Sequence, residues 1–348
     1  MTEKRKRKFV KNLVAIVVIL LIIGMNNKTS GQIKLPDTNA NKQTESTKFQ
    51  KVLYVASYSI KDDWSFRIKS GIESVFESRK NLQLKVISMN TMGMMSADTD
   101  KKKKAALEVK LLIDSWKPDI VIASDDNASK YLIVPYFKDS EIPFVFCGVN
   151  WDASKYGFPS KNVTGMIEVQ LVDQLVEYLS PYAKGHKIGS IRGDTMTNRI
   201  EAEHFEKQVG AKIKTYFVDN ITEWKKLFVQ IQNEVNMILI GDIDAVKLNE
   251  ESKNDVENFM LENTKIPTGR WDAHYKNDAL ITLATIPEEQ GEYAAHAALE
   301  ILDGKSPINI PIAKNKKAKI FLNMKLAKKL GIIFPMNLIG SAQLIPAD

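Results

Sequence analysis

A single cysteine, Cys147, leaves this chain without an internal disulfide. It lies inside the apolar run FVFCGVN, where it reads as a small buried filler rather than a nucleophile. Histidines are also scarce: His186, His204, His274 and His296 show no HExxH or other metal-ligating spacing. There is no G-x-S-x-G nucleophile turn and no phosphate-binding P-loop. Asp125 and Asp126 are adjacent on one turn, so they lack the opposed geometry of a glycosidase pair. These absences argue against an enzyme and against a metal or other cofactor. No apolar run reaches the roughly 20 residues that span a bilayer comfortably.

Charge is present but unevenly placed. The formal net charge is +7. Residues 1–25 carry six basic side chains against Glu3, a net of +5, which leaves +2 for the rest of the chain. The basic runs at 101–104 and 314–319 carry no interleaved aromatics and read as solvated faces, so no nucleic-acid partner is expected. The basic amino terminus precedes an apolar run at residues 13–25, the pattern of a signal peptide or an uncleaved amino-terminal anchor over residues 1–31. Thr29, Ser30 and Gly31 offer small residues for cleavage before Gln32. No cysteine follows the run, so a lipoprotein anchor is excluded. The basic end stays inside and the remainder is expected outside the bacterial membrane, in a periplasmic or extracytoplasmic position. Residues 32–49 are polar and read as a flexible linker.

From residue 51 onward, strand-like and helix-like patterns alternate. Apolar β-rich runs at 51–57, 82–90, 119–125 and 142–150 are separated by helical patterns at 64–79, 101–116 and 127–137. A second set follows, with helices at 169–183, 199–210, 221–235 and 244–263 and strands at 187–194, 212–219, 236–242, 266–272 and 279–285. Such alternation predicts an α/β fold with parallel sheets covered on both faces. Two successive sets predict two lobes. The tail holds a helix at 287–304, opened by Pro287 and closed by Gly304, then extended pieces at 308–312, 319–323 and 332–335 around a helix at 324–331.

Five segments carry a resemblance: SDDNA at 124–128, IPFVFCGVN at 142–150, NVTGMIE at 162–168, EEQGEYAAHAALEILDGKSPINIPI at 288–312 and FLNMKLAKKLGIIFP at 321–335. The chain resembles the type I periplasmic solute-binding proteins, and more narrowly the ABC-transporter substrate-binding family, whose members also serve as extracytoplasmic sensor domains. The resemblance spans roughly residues 50–340. One departure is RGDTMTNR at 192–199, where Gly193 precedes the threonines instead of standing near the helix start. The resemblance implies two Rossmann-like lobes joined by a three-stranded hinge. Lobe I would comprise residues 50–166 and 287–310, and lobe II residues 167–286 and 311–348. The hinge would pass near 164–168, 285–287 and 311–314, and the lobes would close on a ligand.

Ligands of open α/β sheets bind beyond the carboxyl ends of the strands. The candidate binding residues follow from that rule. Tyr58 and Ser59 follow the first strand, next to Ser57, and Asp63 and Trp64 open the next helix. Ser124, Asp125, Asp126 and Asn127 follow the third, and Asn150 and Trp151 the fourth. Glu168 marks the first crossing between lobes. In lobe II the equivalent ends carry Thr195, Asn198, Asp242, Trp271 and Asp272. Each has a plainer reading as well. Trp64 could simply pack, Asp126 or Asn127 could cap a helix, Trp151 could cover a loop, and Glu168 could make a hinge hydrogen bond. Acids and aromatics together suit an amino acid or another small amine or ring compound better than a phosphate.

The leading expectation is an exported, monomeric binding protein that delivers a small molecule to an ABC permease. The alternative is a sensor acting in trans on a membrane histidine kinase or cyclase, since the chain carries no kinase domain of its own. An exported α/β hydrolase is the reading from a different class.

Overall fold

The computed structural model describes residues 49–93, 98–242 and 250–347. The expected signal or anchor segment, nearly all of the linker, and the start of the helix expected over 244–263 lie outside the described residues.

The first half runs β1 (Gln50–Ala56), α1 (Asp63–Phe76), β2 (Leu82–Ser88), α2 (Thr99–Trp116), β3 (Ile120–Ser124), α3 (Asp125–Ala128), β4 (Phe144–Asn150) and β5 (Val163–Glu168). The second half runs α4 (Val172–Leu179), β6 (Ile188–Gly193), α5 (Met196–Val209), β7 (Ile213–Val218), α6 (Ile221–Ile231), β8 (Met237–Ile240), α7 (Glu250–Asn263), β9 (Thr268–Arg270) and β10 (Ile281–Thr285). The tail adds α8 (Pro287–Leu302), β11 (Ala313–Lys314), β12 (Ala318–Asn323), α9 (Met324–Leu330), α10 (Met336–Ser341) and β13 (Gln343–Ile345).

These strands form two sheets, a six-stranded one ordered β11-β5-β4-β3-β1-β2 and a seven-stranded one ordered β13-β12-β10-β9-β8-β6-β7. Both are parallel apart from the antiparallel β10–β12 pair. The chain passes between the sheets after β5, after β10 and after β11.

Near-continuous apolar strands suit a sheet buried on both faces, and alternate residues divide between two cores. Leu53 and Val55 of β1 enter one cluster while Val52, Tyr54 and Ala56 enter another. Met237 and Leu239 of β8 face one side of the second sheet, and Ile238 and Ile240 the other.

Helix α8 brings the tail back onto the first sheet and fixes α1. A Cβ at Gly71 would lie 2.3 Å from the Glu288 carbonyl oxygen, and one at Gly291 would lie 2.0 Å from that of Ile68. The helices therefore meet backbone to backbone, and only glycine fits at the crossing. Arg67 adds a two-pronged bond to Glu288, with both N···O distances 2.8 Å.

Several local features depart from the sequence expectation. The stretch read as one helix over 127–137 is α3 followed by a π-helical segment, Ser129–Phe137, that contains Pro135. Proline lacks the N–H of the α-helical ladder and its ring crowds the carbonyl one turn back, which favours a wider local turn. The extended piece expected at 308–312 is instead a short 3₁₀ turn, Pro307–Asn309, before β11. Helix α10 and strand β13 were not foreseen. Lys102 is also an exception to the solvated basic face, since it is buried and reaches the Tyr131 ring at 5.9 Å.

Candidate functional site

Where the chain crosses between sheets it lines an open cavity of about 370 Å³. Trp64 and Arg67 of α1 form one wall, and Trp271 and Asp272, just past β9, form the facing one. Glu168 and Gln170 of the first crossing and Thr285 and Pro287 of the second line its back. Of the residues singled out in the sequence, Asp63, Trp64, Glu168, Trp271 and Asp272 meet at this cavity.

Trp64 is held there by local sequence. Asp62 caps α1 by accepting from the Trp64 and Ser65 backbone N–H groups. Ile68, Ile72 and Phe76 form the buried stripe of the helix. The Trp64 indole Nε1 donates to Asp125 Oδ1 at 2.8 Å, so both ends of the residue are fixed.

Asp125 occupies an unusual position. Its φ of 73° is left-handed, a conformation that a non-glycine residue holds only when its surroundings impose it. Space for its carboxylate comes from a β-bulge in β4, where register shifts between Phe146 and Val149. Gly148 sits in that bulge at φ 66°, and a Cβ there would lie 2.8 Å from Asp125 Oδ1. Gln290 of α8 holds the bulge by accepting from Gly148 N at 2.9 Å. Asp125 is 3% exposed, and its Oδ2 has no hydrogen-bond partner. Burial, only partly opposed by the Trp64 bond and by the nearby Ser124 hydroxyl, pushes its carboxyl up to about 7.

Asp126 behaves oppositely although it is the next residue. It accepts from Asn150 Nδ2 at 2.8 Å, from Tyr156 Oη at 2.6 Å and pairs with Lys155 at 2.9 Å. Burial works to raise its pKa, but these bonds and the lysine charge outweigh it and hold the carboxyl below its ordinary value. Asp126 thus ties down the loop after β4, with Asn150 as part of the same network. Asn127 donates to Thr91 Oγ1 at 2.9 Å. Ser57 bridges β1 and α3, donating to Ser124 O at 2.6 Å and accepting from Ala128 N at 2.8 Å. Ser124 is fully buried, its hydroxyl 3.2 Å from that of Tyr54. Ser59 closes the turn into α1, its carbonyl accepting from Asp62 N at 2.9 Å.

Tyr58 and Glu168 complete an acidic neighbourhood. Burial and the charges of Asp125, Asp126 and Glu168 push the Tyr58 phenol far up. Burial, reinforced by the Asp125 charge, pushes Glu168 up to about 8. Glu168 Oε1 receives Thr285 Oγ1 at 3.4 Å, a contact between two crossings of the chain.

Trp151 takes a different position. Its ring stacks on His204 of α5 at 4.8 Å between centroids with an interplanar angle of 13°, and lies 5.7 Å from Phe205. A side chain from the end of β4 thereby packs against the core of the second sheet. Its backbone N–H donates to Glu168 O at 2.9 Å.

On the side of the facing wall, the strand-end candidates mostly serve the local backbone. Thr195 caps α5 by accepting from Asn198 N, and the buried Asn198 side chain donates to Gly193 O at 2.9 Å. Asp242 is exposed just beyond β8, and Asp272 accepts from His274 N at 2.8 Å. Behind them lie two guanidinium groups. Arg192 of β6 is fully buried, pairs with Glu201 at 2.9 Å, and stands 4.9 Å from the Phe205 ring and 5.4 Å from that of Trp271. Arg270 of β9 pairs with Asp278 at 3.3 Å and lies 4.3 Å from the Tyr275 ring. Trp271 is wedged edge-on against Phe205 at 4.6 Å. A signal for both arginines was available: each stands inside an apolar strand, in GSIRG and PTGRW, where a charge must find a partner. Arg67, Gln170 and Thr285 carried no comparable signal, because only the packing of α8 and the crossings brings them to the cavity.

No group of three histidine, cysteine, aspartate or glutamate side chains suited to a metal ion occurs among the described residues. Among those residues, no helix is long and apolar enough to cross a membrane.

Two mostly parallel sheets, three crossings and a cavity at the crossings define a type I periplasmic binding-protein architecture. The chain belongs to the ABC transporter substrate binding protein family, whose profile matches residues 59–345. Among solved structures it is similar to a ligand-free, open substrate-binding protein with adhesive properties from Clostridium difficile, with 17% identity, a TM-score of 0.68, and coverage of 86% of this chain and 100% of the other. It is also similar to an ABC domain in complex with L-tryptophan from Streptococcus pneumonia, with 17% identity, a TM-score of 0.55, and coverage of 85% and 100%. A third is an ABC transporter substrate-binding protein from Desulfitobacterium hafniense in complex with leucine, with 12% identity, a TM-score of 0.53, and coverage of 75% and 86%. At these identities the likeness shows the fold. A comparison with curated proteins gives no significant match.

Proposed function

We propose that this protein captures a small solute, an amino acid or a similar amine or ring compound, in the cavity at the crossings and presents it to an ABC importer on the outer face of the membrane. The observation that carries this reading is the pairing of Trp64 and Trp271 on facing walls with Glu168 at the back. Two indoles supply flat apolar surface for a ring or chain, and the carboxylate supplies a partner for an amino group. The solved relatives with L-tryptophan and with leucine bear on the same class of ligand. The basic and apolar amino terminus supports export.

A thermal melt of the purified protein against amino acids, small amines, purines and sugars tests the reading. A ligand that binds only the native state raises the unfolding midpoint by an amount that grows with the logarithm of its concentration above Kd. Cognate solutes should raise it by several degrees, and the combined Trp64→Ala and Asp125→Ala change should remove the shift. Full affinity in that double variant would mean that the ligand sits elsewhere. Adjacent genes for a permease and an ATPase favour delivery, whereas an adjacent histidine kinase would move the role to sensing.

A further inference from the structure

Among the described residues, Glu168 at the back of the cavity has no cation paired with it. On the first wall two donors are committed: Arg67 gives both prongs to Glu288, and Trp64 Nε1 is spent on Asp125, whereas behind the facing wall Arg192 Nη2 and Arg270 Nε lack hydrogen-bond partners. Acceptors are left over. Gln170 Oε1 at the cavity and Asp125 Oδ2, which lies behind Trp64 and off the lining, have no partner, and Glu168 receives a long 3.4 Å contact from Thr285. A buried acceptor without a donor is costly, and a buried carboxylate without a countercharge more so.

The charged and titratable groups around Glu168 do not relieve this. Asp125 and Asp126, past β3, act on it as like charges. The Tyr58 phenol, past β1, and the buried Cys147 thiol, in β4, both feel the Glu168 charge. At the cavity itself Asp63 and Asp272 add further acids. The cations are taken: Lys155 by Asp126 at 2.9 Å, and Arg67 by Glu288 at 2.8 Å. Among the described residues, therefore, no cation is left to pair with Glu168, and a proton is the available substitute.

We infer that Glu168 holds a proton in the empty site and surrenders it when a cationic nitrogen of the ligand arrives, with Asp125 supporting the same charge from behind Trp64. This rests on the reading of the cavity as the solute site. In the exchange the Glu168 O–H bond breaks, the proton passes to solvent, and an N–H of the ligand ammonium donates to the carboxylate. Binding is then selective for a protonated nitrogen and linked to pH. Burial and the Asp125 charge place the Glu168 equilibrium near 8, so acid pH favours the protonated, closed-off carboxyl and opposes binding. Affinity falls by about tenfold per pH unit below that value, the slope of one displaced proton. Well above it, a ligand amine loses its own proton and affinity falls again.

The test uses three matched probe sets: L-amino acids, the amines left by their decarboxylation, and the acids left by removal of the amino group, with ribose and inositol as neutral controls. Titration calorimetry of a binding probe near neutral pH, in two buffers of different ionisation enthalpy, counts the protons released. Binding confined to probes with an amino group, with roughly one proton released per site, supports the inference. Glu168→Gln should abolish the release and flatten the pH dependence, whereas a purely structural role would weaken binding equally at every pH. Should that variant fail to fold, the wild-type proton count still decides. Binding of a des-amino acid or a sugar, or of an amine with no proton released, overturns the inference while leaving a solute-binding cavity intact. Failure of every probe to bind removes the solute reading and the inference with it.

Discussion

The two walls of the cavity handle buried charge in opposite ways. On the second-sheet side, Arg192 and Arg270 are buried with an acid apiece, Glu201 and Asp278, and stand against aromatic rings. Their charges are paired, although Arg192 Nη2 and Arg270 Nε each lack a hydrogen-bond partner. On the first-sheet side, Asp125 is buried with an oxygen that has no partner, and the Glu168 carboxylate at the first crossing has a single long hydrogen bond among the described residues. Their charges are held in reserve. The difference lies in charge pairing: the buried charges behind the second wall have counter-charges, and among the described residues Asp125 and Glu168 on the first have none.

The sharpest way to break that comparison is to remove one charge from each wall. Arg192→Met strands Glu201, which is 13% exposed at its side chain, without its countercharge. Breaking a buried pair on one side costs about 3–5 kcal/mol, and denaturant unfolding should show a loss of that size. A loss below about 1 kcal/mol would mean that the pair is solvated and the two walls are alike.

A change in the scaffold behind the first wall comes next in size. Gly291→Ala places a methyl group 2.0 Å from the Ile68 carbonyl oxygen, so α1 and α8 must separate. Overpacking of this kind costs about 1–3 kcal/mol. Because α1 carries Trp64, the same variant should also weaken ligand binding. Stability lost with affinity unchanged would show that the wall is not positioned by this crossing.

The architecture was legible in the sequence because it rests on periodicity. Runs such as KVLYVAS and NMILIGD are apolar on both faces and could only be covered parallel strands, and the helix at 287–302 announced itself through Pro287. The cavity was legible in part. Strand ends marked Trp64, Trp271 and Glu168, since topology alone delivers those positions to the crossings. Chemical detail was not legible where it depends on neighbours far apart in sequence. Nothing local separates Asp125 from Asp126, yet one meets an indole across a glycine bulge and the other meets Lys155, Tyr156 and Asn150. Trp151 likewise follows a strand end, but its partner His204 is supplied by the other sheet. That stack predicts a modest effect: Trp151→Ala removes an aromatic contact worth about 1 kcal/mol beyond its buried area. Its influence on affinity should be felt only through the relation of the loop after β4 to α5.

The gentlest change is also the most discriminating. Asp125 and Glu168 titrate near 7 and 8 in the folded chain against ordinary values of 3.8 and 4.5. Between those limits the native state binds more protons than the unfolded one, so their contribution is fully present below about pH 4 and is lost as pH rises through 7 to 8. Asp278, pushed up to about 6 by burial despite Arg270, acts in the same direction. Carboxyls held low, such as Asp126 and Asp303, exert their opposite effect below pH 4 and leave this window clear. The ligand-free protein should therefore lose stability between pH 5 and pH 8, seen as a falling unfolding midpoint. Asp125→Asn should reduce that fall and raise the midpoint at pH 8 by a degree or two, because it removes a buried charge that no partner compensates. The same substitution at Asp278 should lower the midpoint, since Arg270 would be stranded. A midpoint that stays flat or rises from pH 5 to pH 8 would mean that the first-wall carboxyls are ionised and satisfied, and the contrast between a charge-paired wall and an unpaired one would disappear.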